Sequence, residues 1–341
     1  MRVAIIGANG NFGLKRLKAI SRSPHRVVAL CDLEFDQALK LLSGTEVRQE
    51  TDYHRLLDAD FDLAVVSLPD PIKLAVVGDF LQARRHVLVE KPLSLRVSEV
   101  RRLFALAREK EVSLYVGYNI CFFPAVVGLL KLLQEGHFGS IHHLRLFYGH
   151  GGVHTLLNRQ NWRVEDISWG GAFVDMGTHI LALAARFVPS VETGVLERQY
   201  VVSKHVEDNC TALLKGKGCV VELASSWTAW RSRFSVEVYG SHGFAEIEGL
   251  AKYAKYGHAG ERIRYGRANP SGPPGVKERT WTPEGSTDTG CEIVDPFSAE
   301  VEFLDQEWQS LSTAVSTGTF DMDKEEQINT FVADVCERFY R

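Results

Sequence analysis

Two groups of ionisable residues in this sequence have types and spacing that suit proton transfer. Lys91 comes shortly after the apolar run Val87–Val89. Asp175 and His179 stand four positions apart, so a helix that begins near Gly171 would carry both on one face. A carboxylate and an imidazole on one face can relay a proton from a hydroxyl, because imidazole titrates near neutral pH. Lys91, Asp175 and His179 are therefore the predicted catalytic residues.

Each of these residues also has an ordinary structural interpretation. A lone lysine is usually solvated, a histidine beside Ile180 is often a core residue, and Asp175 could be a helix N-cap. Lys91, however, follows an apolar strand, at the edge where parallel sheets bind ligands. Asp175 and His179 occur together after two glycines, which weakens the structural interpretation of that pair.

A glycine-rich turn near the start of the chain is typical of a nucleotide site. Glycines recur there at three-residue intervals between an apolar strand and a helical stretch. They let the backbone approach a pyrophosphate, whose charge the helix N-terminus meets. An ordinary strand–helix turn is the alternative. The predicted cofactor contacts in this loop are Gly7, Asn9, Gly10, Asn11, Phe12 and Gly13.

Asp32 supports the nucleotide interpretation. It ends the second apolar run, about 20 residues after the glycines, where an acidic residue binds ribose hydroxyls in dinucleotide sites. Leu33 and Glu34 follow it, so a 2′-phosphate would meet negative charge without an arginine. NAD is therefore the predicted cofactor, and NADP is less favoured. An N-cap role for Asp32 is compatible with ribose binding.

Strand-like and helix-like segments alternate through the first 118 residues. Short apolar runs predict strands at Val3–Ile6, Arg26–Cys31, Leu63–Ser67, Val87–Val89 and Ser113–Gly117. Helical spacing occurs at Gly13–Ser21, Phe35–Leu42, Ile72–Gln82 and Val97–Glu109. The alternation predicts a doubly wound parallel sheet. Its carboxyl edge would carry the glycine loop, the loop at Leu68 and Pro69, and Lys91.

After residue 118 the pattern changes to strands with few helices between them. One amphipathic helix is predicted at Pro124–Gln134. Strands are predicted at Ile141–Tyr148, Glu192–Val201, Asn209–Leu214, Cys219–Ser226 and Ser235–Gly240. This indicates an α+β domain on a largely antiparallel sheet. We therefore expect a cofactor domain at residues 1–118 and a substrate domain at residues 119–341.

Bulk properties exclude several functional classes. A chain of 341 residues is long for one core, which favours two domains. The net charge of −4 gives no attraction to nucleic acid or anionic membranes. Neither a signal peptide nor an apolar span of about 20 residues is visible, so a cytoplasmic location is expected. The cysteines form no C-x-x-C pair, and no metal site is predicted.

Several motifs, in order along the chain, resemble those of the glucose–fructose oxidoreductase, inositol dehydrogenase and rhizopine-catabolism (Gfo/Idh/MocA) family. They are Gly7–Gly13, Asp32, Glu90-Lys91-Pro92, Val116-Gly117-Tyr118-Asn119, Gly170-Gly171-Ala172 with Asp175, Gly177 and His179, and Val206-Glu207-Asp208-Asn209. The resemblance implies a Rossmann domain, an α+β domain with an open sheet, and NAD(P)-dependent redox chemistry on a sugar or polyol. It also implies a homodimer or homotetramer formed through the C-terminal sheet.

The resemblance further implies roles for individual residues. Lys91 would contact the nicotinamide ribose and the reacting hydroxyl, and its peptide bond to Pro92 would be cis. His179 would be the general acid/base, and Asp175 would orient the substrate or the histidine. The remaining predicted cofactor contacts are Leu68, Pro69, Glu90, Lys91 and Asn119.

Substrate contacts are predicted at Tyr118 and in the segment 150–163. The segment 150–163 is rich in hydrogen-bonding side chains and contains an aromatic residue, which suits a polyhydroxyl ligand. A polar surface loop is the alternative for this segment. The candidate substrate contacts are Tyr118, His154, Arg159, Trp162 and Arg163.

Two positions depart from the family pattern. Lys73 stands where members commonly have a histidine, and Cys121 stands where an arginine is frequent. Without that arginine, recognition of an acidic or phosphorylated substrate group through this position is not expected.

The leading hypothesis is an NAD-dependent dehydrogenase acting on a secondary alcohol of a sugar, an inositol-like polyol or a sugar nucleotide. One alternative is an NAD-dependent glycoside hydrolase of the same family, which would oxidise its sugar only transiently. Another is a non-catalytic regulator that senses nucleotide or sugar. Retention of Lys91, Asp175 and His179 argues against the regulator.

Overall fold

The computed structural model describes residues 1–42, 45–152, 170–249, 262–268, 276–281 and 296–340. The chain divides into two compact units. The first unit comprises Met1–Asn119 and Phe297–Asp334, and the second comprises Ile120–Pro296 and Val335–Arg341.

The first unit contains a six-stranded parallel sheet. Its strands are β1 (Arg2–Ile6), β2 (Arg26–Cys31), β3 (Arg48–Glu50), β4 (Leu63–Val66), β5 (His86–Glu90) and β6 (Leu114–Gly117). Their order is β3-β2-β1-β4-β5-β6, the doubly wound arrangement in which the direction of winding reverses beside the first strand. The predicted doubly wound parallel sheet is therefore confirmed, and β3 is a short strand that was not predicted.

Helices connect these strands. They are α1 (Asn11–Ser21), α2 (Asp36–Leu41), α3 (Asp70–Gln82) and α4 (Val97–Glu109). In α4 the buried residues Val100, Leu103, Phe104 and Ala107 recur at helical spacing and form one apolar face. The same spacing in the sequence allowed this helix to be predicted with its observed bounds.

The core of the first unit includes residues from near the end of the chain. Two helices lie in that region, α7 (Pro296–Thr317) and α8 (Met322–Val335). Trp308 and Leu311 of α7 belong to the same buried apolar cluster as Val3 and Ile5 of β1. From the sequence, all residues after 118 are predicted to belong to the second domain. The structure instead places Phe297–Asp334 in the first unit, because these side chains complete its core.

The second unit contains an eight-stranded sheet. Its strands are β7 (Ile141–Gly149), β8 (Thr193–Gln199), β9 (Asn209–Gly216), β10 (Cys219–Ser226), β11 (Arg233–Gly240), β12 (Gly243–Glu248), β13 (Arg262–Ala268) and β14 (Val276–Trp281). Their order is β14-β13-β12-β11-β7-β10-β9-β8, and every pair is antiparallel except β7 with β10. The predicted open, largely antiparallel sheet is confirmed.

Side chains alternate between the two faces of this sheet. In β9, Cys210, Ala212 and Leu214 are buried, whereas Thr211 and Leu213 point away from the core and are exposed. The second unit also contains the helices α5 (Pro124–Gln134) and α6 (Thr178–Ala184). In the part of the chain that the structure describes, no helix has the length and apolar character needed to cross a bilayer.

Candidate active site

The glycine-rich loop turns sharply between β1 and α1. Gly7 has φ +79°, and a Cβ there would lie 2.4 Å from the carbonyl oxygen of Ser67. A Cβ on Gly13 would lie 1.9 Å from the carbonyl oxygen of Gly7. Any larger residue at either position would clash with backbone atoms, so both must be glycine. Among the described residues, a Cβ on Gly10 would meet only the Gly7 oxygen, at 3.4 Å.

This loop fits a dinucleotide pyrophosphate. α1 begins at Asn11, and its first backbone N–H groups carry the partial positive charge of a helix N-terminus. The open space beside Gly10 lets a phosphate come close to these groups. Lys15 adds positive charge near the start of α1. Its Nζ lies 4.9 Å from the centre of the ring of Phe12, the second residue of that helix.

Asn9 and Asp32 fix the shape of the loop. One carboxylate oxygen of Asp32 accepts the Asn9 N–H at 2.7 Å, and the other accepts the Leu33 N–H at 2.7 Å. The Asn9 side-chain oxygen accepts the N–H groups of Gln37 and Ala38, at 3.0 and 3.2 Å. Asn9 therefore caps α2, the role that the sequence had left open for Asp32.

The loop after β4 lies beside the glycine turn. The Cδ2 atom of Leu68 is 3.2 Å from the position of a Cβ on Gly7. Pro69 precedes α3, and its carbonyl oxygen accepts the N–H groups of Ile72 and Lys73 at 3.3 Å. Leu68 and Pro69, predicted as cofactor contacts, thus share one sheet edge with the glycine loop.

Lys91 follows directly after β5 and is partly exposed. Its peptide bond to Pro92 is cis, as the resemblance implies. The preceding residue, Glu90, accepts a hydrogen bond from Nε of the buried Arg16 at 2.7 Å. Glu90 was predicted to contact the cofactor, and in this structure its carboxylate is held in an ion pair with α1.

Arg16 joins three elements through a buried ionic network. Its second partner is the carboxylate of Glu307 on α7. The other oxygen of Glu307 accepts a hydrogen bond from the Tyr115 hydroxyl at 3.0 Å. Sequence reasoning missed this network because its members are far apart in the chain and no motif links them.

Tyr118 and Asn119 lie at the end of β6 and are buried. Tyr118 is 2% exposed, and its hydroxyl donates to the side chain of Asn329 on α8 at 3.3 Å. This packing argues against the predicted contact between Tyr118 and the substrate. Asn119 begins a short 3₁₀ turn, Asn119–Phe122.

In the second unit, Asp175 and His179 lie on neighbouring turns of a composite helix. The segment Phe173–Gly177 is a π-helix, and α6 continues it from Thr178. The sequence predicted a regular helix from Gly171. A π-helix has wider turns, so the four-residue spacing of Asp175 and His179 does not align them as it would in an α-helix.

A buried carboxylate anchors the start of this helix. Glu207 accepts the backbone N–H groups of Gly171 and Phe173, both at 3.0 Å, and the Tyr340 hydroxyl at 2.9 Å. Burial raises the pKa of Glu207 above its ordinary value, and these hydrogen bonds oppose that rise. Glu207 belongs to the motif Val206-Glu207-Asp208-Asn209, to which the sequence alone gives no role.

Aromatic residues surround the predicted proton-transfer pair. Trp227 is buried, and its Nε1–H donates to Asp175 Oδ2 at 3.2 Å. His179 is 7% exposed, and its ring meets the Tyr148 ring edge-on, with the centres 5.9 Å apart. Tyr148 lies on β7 and Trp227 directly follows β10. Both stand far from the helix in sequence, so no local pattern pointed to them.

The structure groups the predicted residues by unit. The described cofactor candidates and Lys91 belong to the first unit, and Asp175 and His179 belong to the second. The remaining substrate candidates lie outside the described residues: His154, Arg159, Trp162 and Arg163. Within the described ranges, no group of three or more His, Cys, Asp or Glu side chains could hold a metal ion.

Two family models match the chain. Residues 1–118 match the Gfo/Idh/MocA model, described as an oxidoreductase family with an NAD-binding Rossmann fold. Residues 127–246 match the model of the Gfo/Idh/MocA C-terminal domain.

Three relatives illustrate the similarity. An uncharacterised oxidoreductase of Bacillus subtilis, YrbE, is 27% identical over 56% of this chain, a match that spans only about half (54%) of the relative. The rabbit trans-1,2-dihydrobenzene-1,2-diol dehydrogenase is 28% identical over 68% of this chain and 70% of its own. The dTDP-3,4-didehydro-2,6-dideoxy-alpha-D-glucose 3-reductase of Saccharopolyspora spinosa is 28% identical over 71% of this chain and 73% of its own.

Solved structures share the fold. An oxidoreductase from Agrobacterium radiobacter, in complex with NAD+, L-tartaric acid and magnesium, superposes with a TM-score of 0.78. The alignment covers 100% of this chain and 95% of that one, at 17% sequence identity.

Proposed function

Because the chain belongs to the Gfo/Idh/MocA family of oxidoreductases, we propose that it interconverts a secondary alcohol and a ketone on a sugar, an inositol-like polyol or a sugar nucleotide. It is an NAD(P)-dependent dehydrogenase or reductase with an NAD-binding Rossmann domain.

The glycine loop with Asp32 is the observation that carries the proposal. Gly7 and Gly13 are required by the backbone itself, whereas the space at Gly10 is open. Asp32 directly follows β2, and its carboxylate accepts the N–H of Asn9, the residue before Gly10. Residues Gly7–Gly13 would hold the pyrophosphate and Asp32 the adenosine ribose.

The proposed chemistry divides between the cofactor and the protein. Gly7–Gly13 and Asp32 would hold the cofactor, which would supply a hydride acceptor for oxidation of the alcohol carbon and, when reduced, a hydride donor for reduction of the ketone. His179 removes the hydroxyl proton during oxidation and returns it during reduction. Lys91 donates a hydrogen bond to the same oxygen and stabilises the negative charge that develops there. Asp175, held by Trp227, orients the substrate or His179.

Two of the relatives support the substrate class. The name of one describes a reductase acting at position 3 of a nucleotide-linked deoxyhexose. The name of another describes a dehydrogenase of a vicinal diol on a six-carbon ring. Both names describe oxygen-bearing carbons of six-membered rings, as free sugars and inositols also have. The names of these relatives therefore support a cyclic polyol or sugar as the substrate class.

The experiment is a spectrophotometric screen of the purified protein for NADH formation. The panel contains inositols, free sugars, sugar nucleotides and a cyclic trans-diol, each with NAD+. Lys91→Met is run beside the wild type, and Lys131→Met, at an exposed position on α5, controls for the substitution. We expect one substrate class to yield NADH, with a rate at least about 100-fold lower in Lys91→Met.

Other outcomes would separate the alternatives. Glycoside cleavage without net NADH would favour the hydrolase. NADH binding without turnover of any alcohol or glycoside would favour the regulator. Equal rates in Lys91→Met and wild type would contradict the role given to Lys91.

We further propose that the open face of the second unit's sheet joins copies of the chain into a homodimer or homotetramer. Val195 of β8 pairs in register with Leu213 of β9, and the two side chains are 66% and 48% exposed. On the same face Arg145 bonds to Glu222 at 3.0 Å and to Glu237 at 3.2 Å, so the charges of this surface are largely compensated. A face of this kind can pack against a second copy of itself.

A further inference from the structure

Lys73 is a buried lysine on the first turn of α3. The residue is 1% exposed, which is rare for a lysine. Its Nζ forms an ion pair with the Asp70 carboxylate, three positions earlier. The same Nζ donates to the backbone carbonyl oxygen of Pro92, the residue after Lys91.

These two contacts explain how the ammonium group can be buried. A charged group inside a protein is stable only when it is paired and hydrogen-bonded. Asp70 supplies the opposite charge, and Pro92 supplies a neutral acceptor. A side chain without a donor at position 73 would leave the Pro92 carbonyl without this bond.

Both neighbours of Lys91 in the chain, Glu90 and Pro92, are held by contacts with other elements. Glu90 is held by the β5–β6 pairing and by Arg16 at 2.7 Å. Pro92 is held by Lys73. We infer that Lys73 is a positioning residue, which acts through the Pro92 carbonyl to hold the backbone of Lys91 at the orientation the reaction needs. This inference rests on the role proposed for Lys91.

A positioning role predicts a specific kinetic signature. An error of about 1 Å in the place of a reacting group can cost about 100-fold in rate. Loss of the Lys73–Pro92 bond should therefore lower kcat by about 10- to 100-fold. The KM for NAD+ should change by less than about threefold, because the pyrophosphate and ribose contacts assigned to Gly7–Gly13 and Asp32 are untouched.

The test uses Lys73→Met and the double variant Asp70→Asn with Lys73→Met. The double variant removes both charges together, so it avoids leaving an unpaired carboxylate if the single variant folds poorly. Lys73→Arg keeps a cationic donor, and its kcat should stay within about fivefold of wild type. Lys131→Met on α5 is the matched control at an exposed position.

A second readout does not depend on any substrate. Amide hydrogen exchange of the segment 90–95 should become about tenfold faster in the double variant, while β4 (Leu63–Val66) should exchange as in wild type. Where the wild type turns over a substrate, both the kinetic and the exchange changes are required. If the double variant keeps its kcat within twofold, or if the segment 90–95 exchanges as in wild type, the inference is overturned. If wild type turns over no substrate, the proposed function fails, and exchange alone still decides whether Lys73 holds this loop.

Discussion

The carboxylate of Asp32 has two tasks in the proposed function. It accepts the backbone N–H groups of Asn9 and Leu33, which shapes the glycine loop. Its charge would also repel the 2′-phosphate that distinguishes NADP from NAD. Asparagine removes the charge and keeps one of the two acceptor oxygens, so it retains part of the loop's hydrogen bonding. The ratio of the NADH and NADPH dissociation constants then reports the charge, because a change in loop shape would affect both nucleotides.

Asp32→Asn should narrow the preference for NADH over NADPH. We expect the ratio of the two dissociation constants to fall about tenfold, equivalent to about 1.4 kcal/mol, because the repulsion is lost. Quenching of protein fluorescence by each nucleotide would measure both constants. Asp36→Asn removes an equal charge from an exposed position on α2 and is the control. An unchanged ratio in Asp32→Asn would show that its charge does not select the cofactor.

The substitution Trp227→Phe tests the role of Asp175 while it leaves the Asp175 carboxylate and the His179 imidazole in place. Trp227→Phe removes the indole N–H that bonds to Asp175 but keeps a large aromatic side chain. We expect kcat/KM to fall about three- to tenfold, the size of one hydrogen bond of about 1 kcal/mol. The dissociation constant for NADH should not change, since the cofactor is assigned to the first unit.

The control for this substitution is Trp308→Phe. Trp308 is also buried, and its indole N–H donates to Ser23 at 3.1 Å in the first unit's core. It removes the same kind of bond far in sequence from Asp175. Similar losses of kcat/KM in both variants would mean that the effect comes from general packing and not from Asp175.

Single residues were predictable where local sequence carries the constraint. The glycine loop and Asp32 could be located because their spacing follows from the turn that a pyrophosphate needs. Arg16, Lys73 and Trp227 could not be assigned roles, because their contacts join segments that are distant in the chain. Tyr118 was interpreted from its neighbours in sequence, whereas its hydroxyl is bonded to Asn329 on α8.

At the scale of elements, Glu207 links three parts of the second unit. Its carboxylate binds the start of the helix that carries Asp175 and His179, and it also binds Tyr340. Burial raises its pKa above the ordinary value of 4.5. The folded state therefore holds the proton more tightly than the unfolded state does. The stability that this proton contributes is present below about pH 4.5 and is lost as pH rises through the folded value.

Glu207→Gln should remove this pH dependence. Glutamine resembles the protonated acid, so the variant should gain stability relative to wild type as pH rises from about 5 to 8. Urea unfolding at several pH values would measure the difference in unfolding free energy. Glu197→Gln, at an exposed position on β8, controls for the loss of one charge. A difference that stays constant, or that moves the other way, would contradict the burial argument.

Elements differ in how well periodicity predicts them. The helix α4 and the central strands of the first sheet follow the expected apolar spacing. The π-helix Phe173–Gly177 could not be foreseen from local periodicity. Its contacts are with Glu207 and with β10, which are distant in the chain. The return of α7 to the first unit was also missed. An amphipathic helix shows which face is apolar, but it does not show which core that face completes.

At the scale of the whole molecule, the exposed sheet face raises the question of assembly. The described strands β7 to β12 present one buried face and one face of charged, polar and apolar side chains. Exposed apolar residues in register, such as Val195 and Leu213, are typical of surfaces that pair with a partner. The net charge of −4 is small enough to allow two copies to approach.

Leu213→Asp tests this assembly directly. A carboxylate at the centre of an apolar contact would be buried without a partner, so the oligomer should dissociate. Sedimentation velocity of wild type should give a dimer or tetramer, and the variant should sediment with a smaller mass at the same concentration. Val127→Asp is the matched control, because Val127 is 46% exposed but lies on α5 and not on the sheet. A monomeric wild type, or equal masses for wild type and Leu213→Asp, would contradict association through this face. Dissociation caused equally by Val127→Asp would place the contact elsewhere in the second unit.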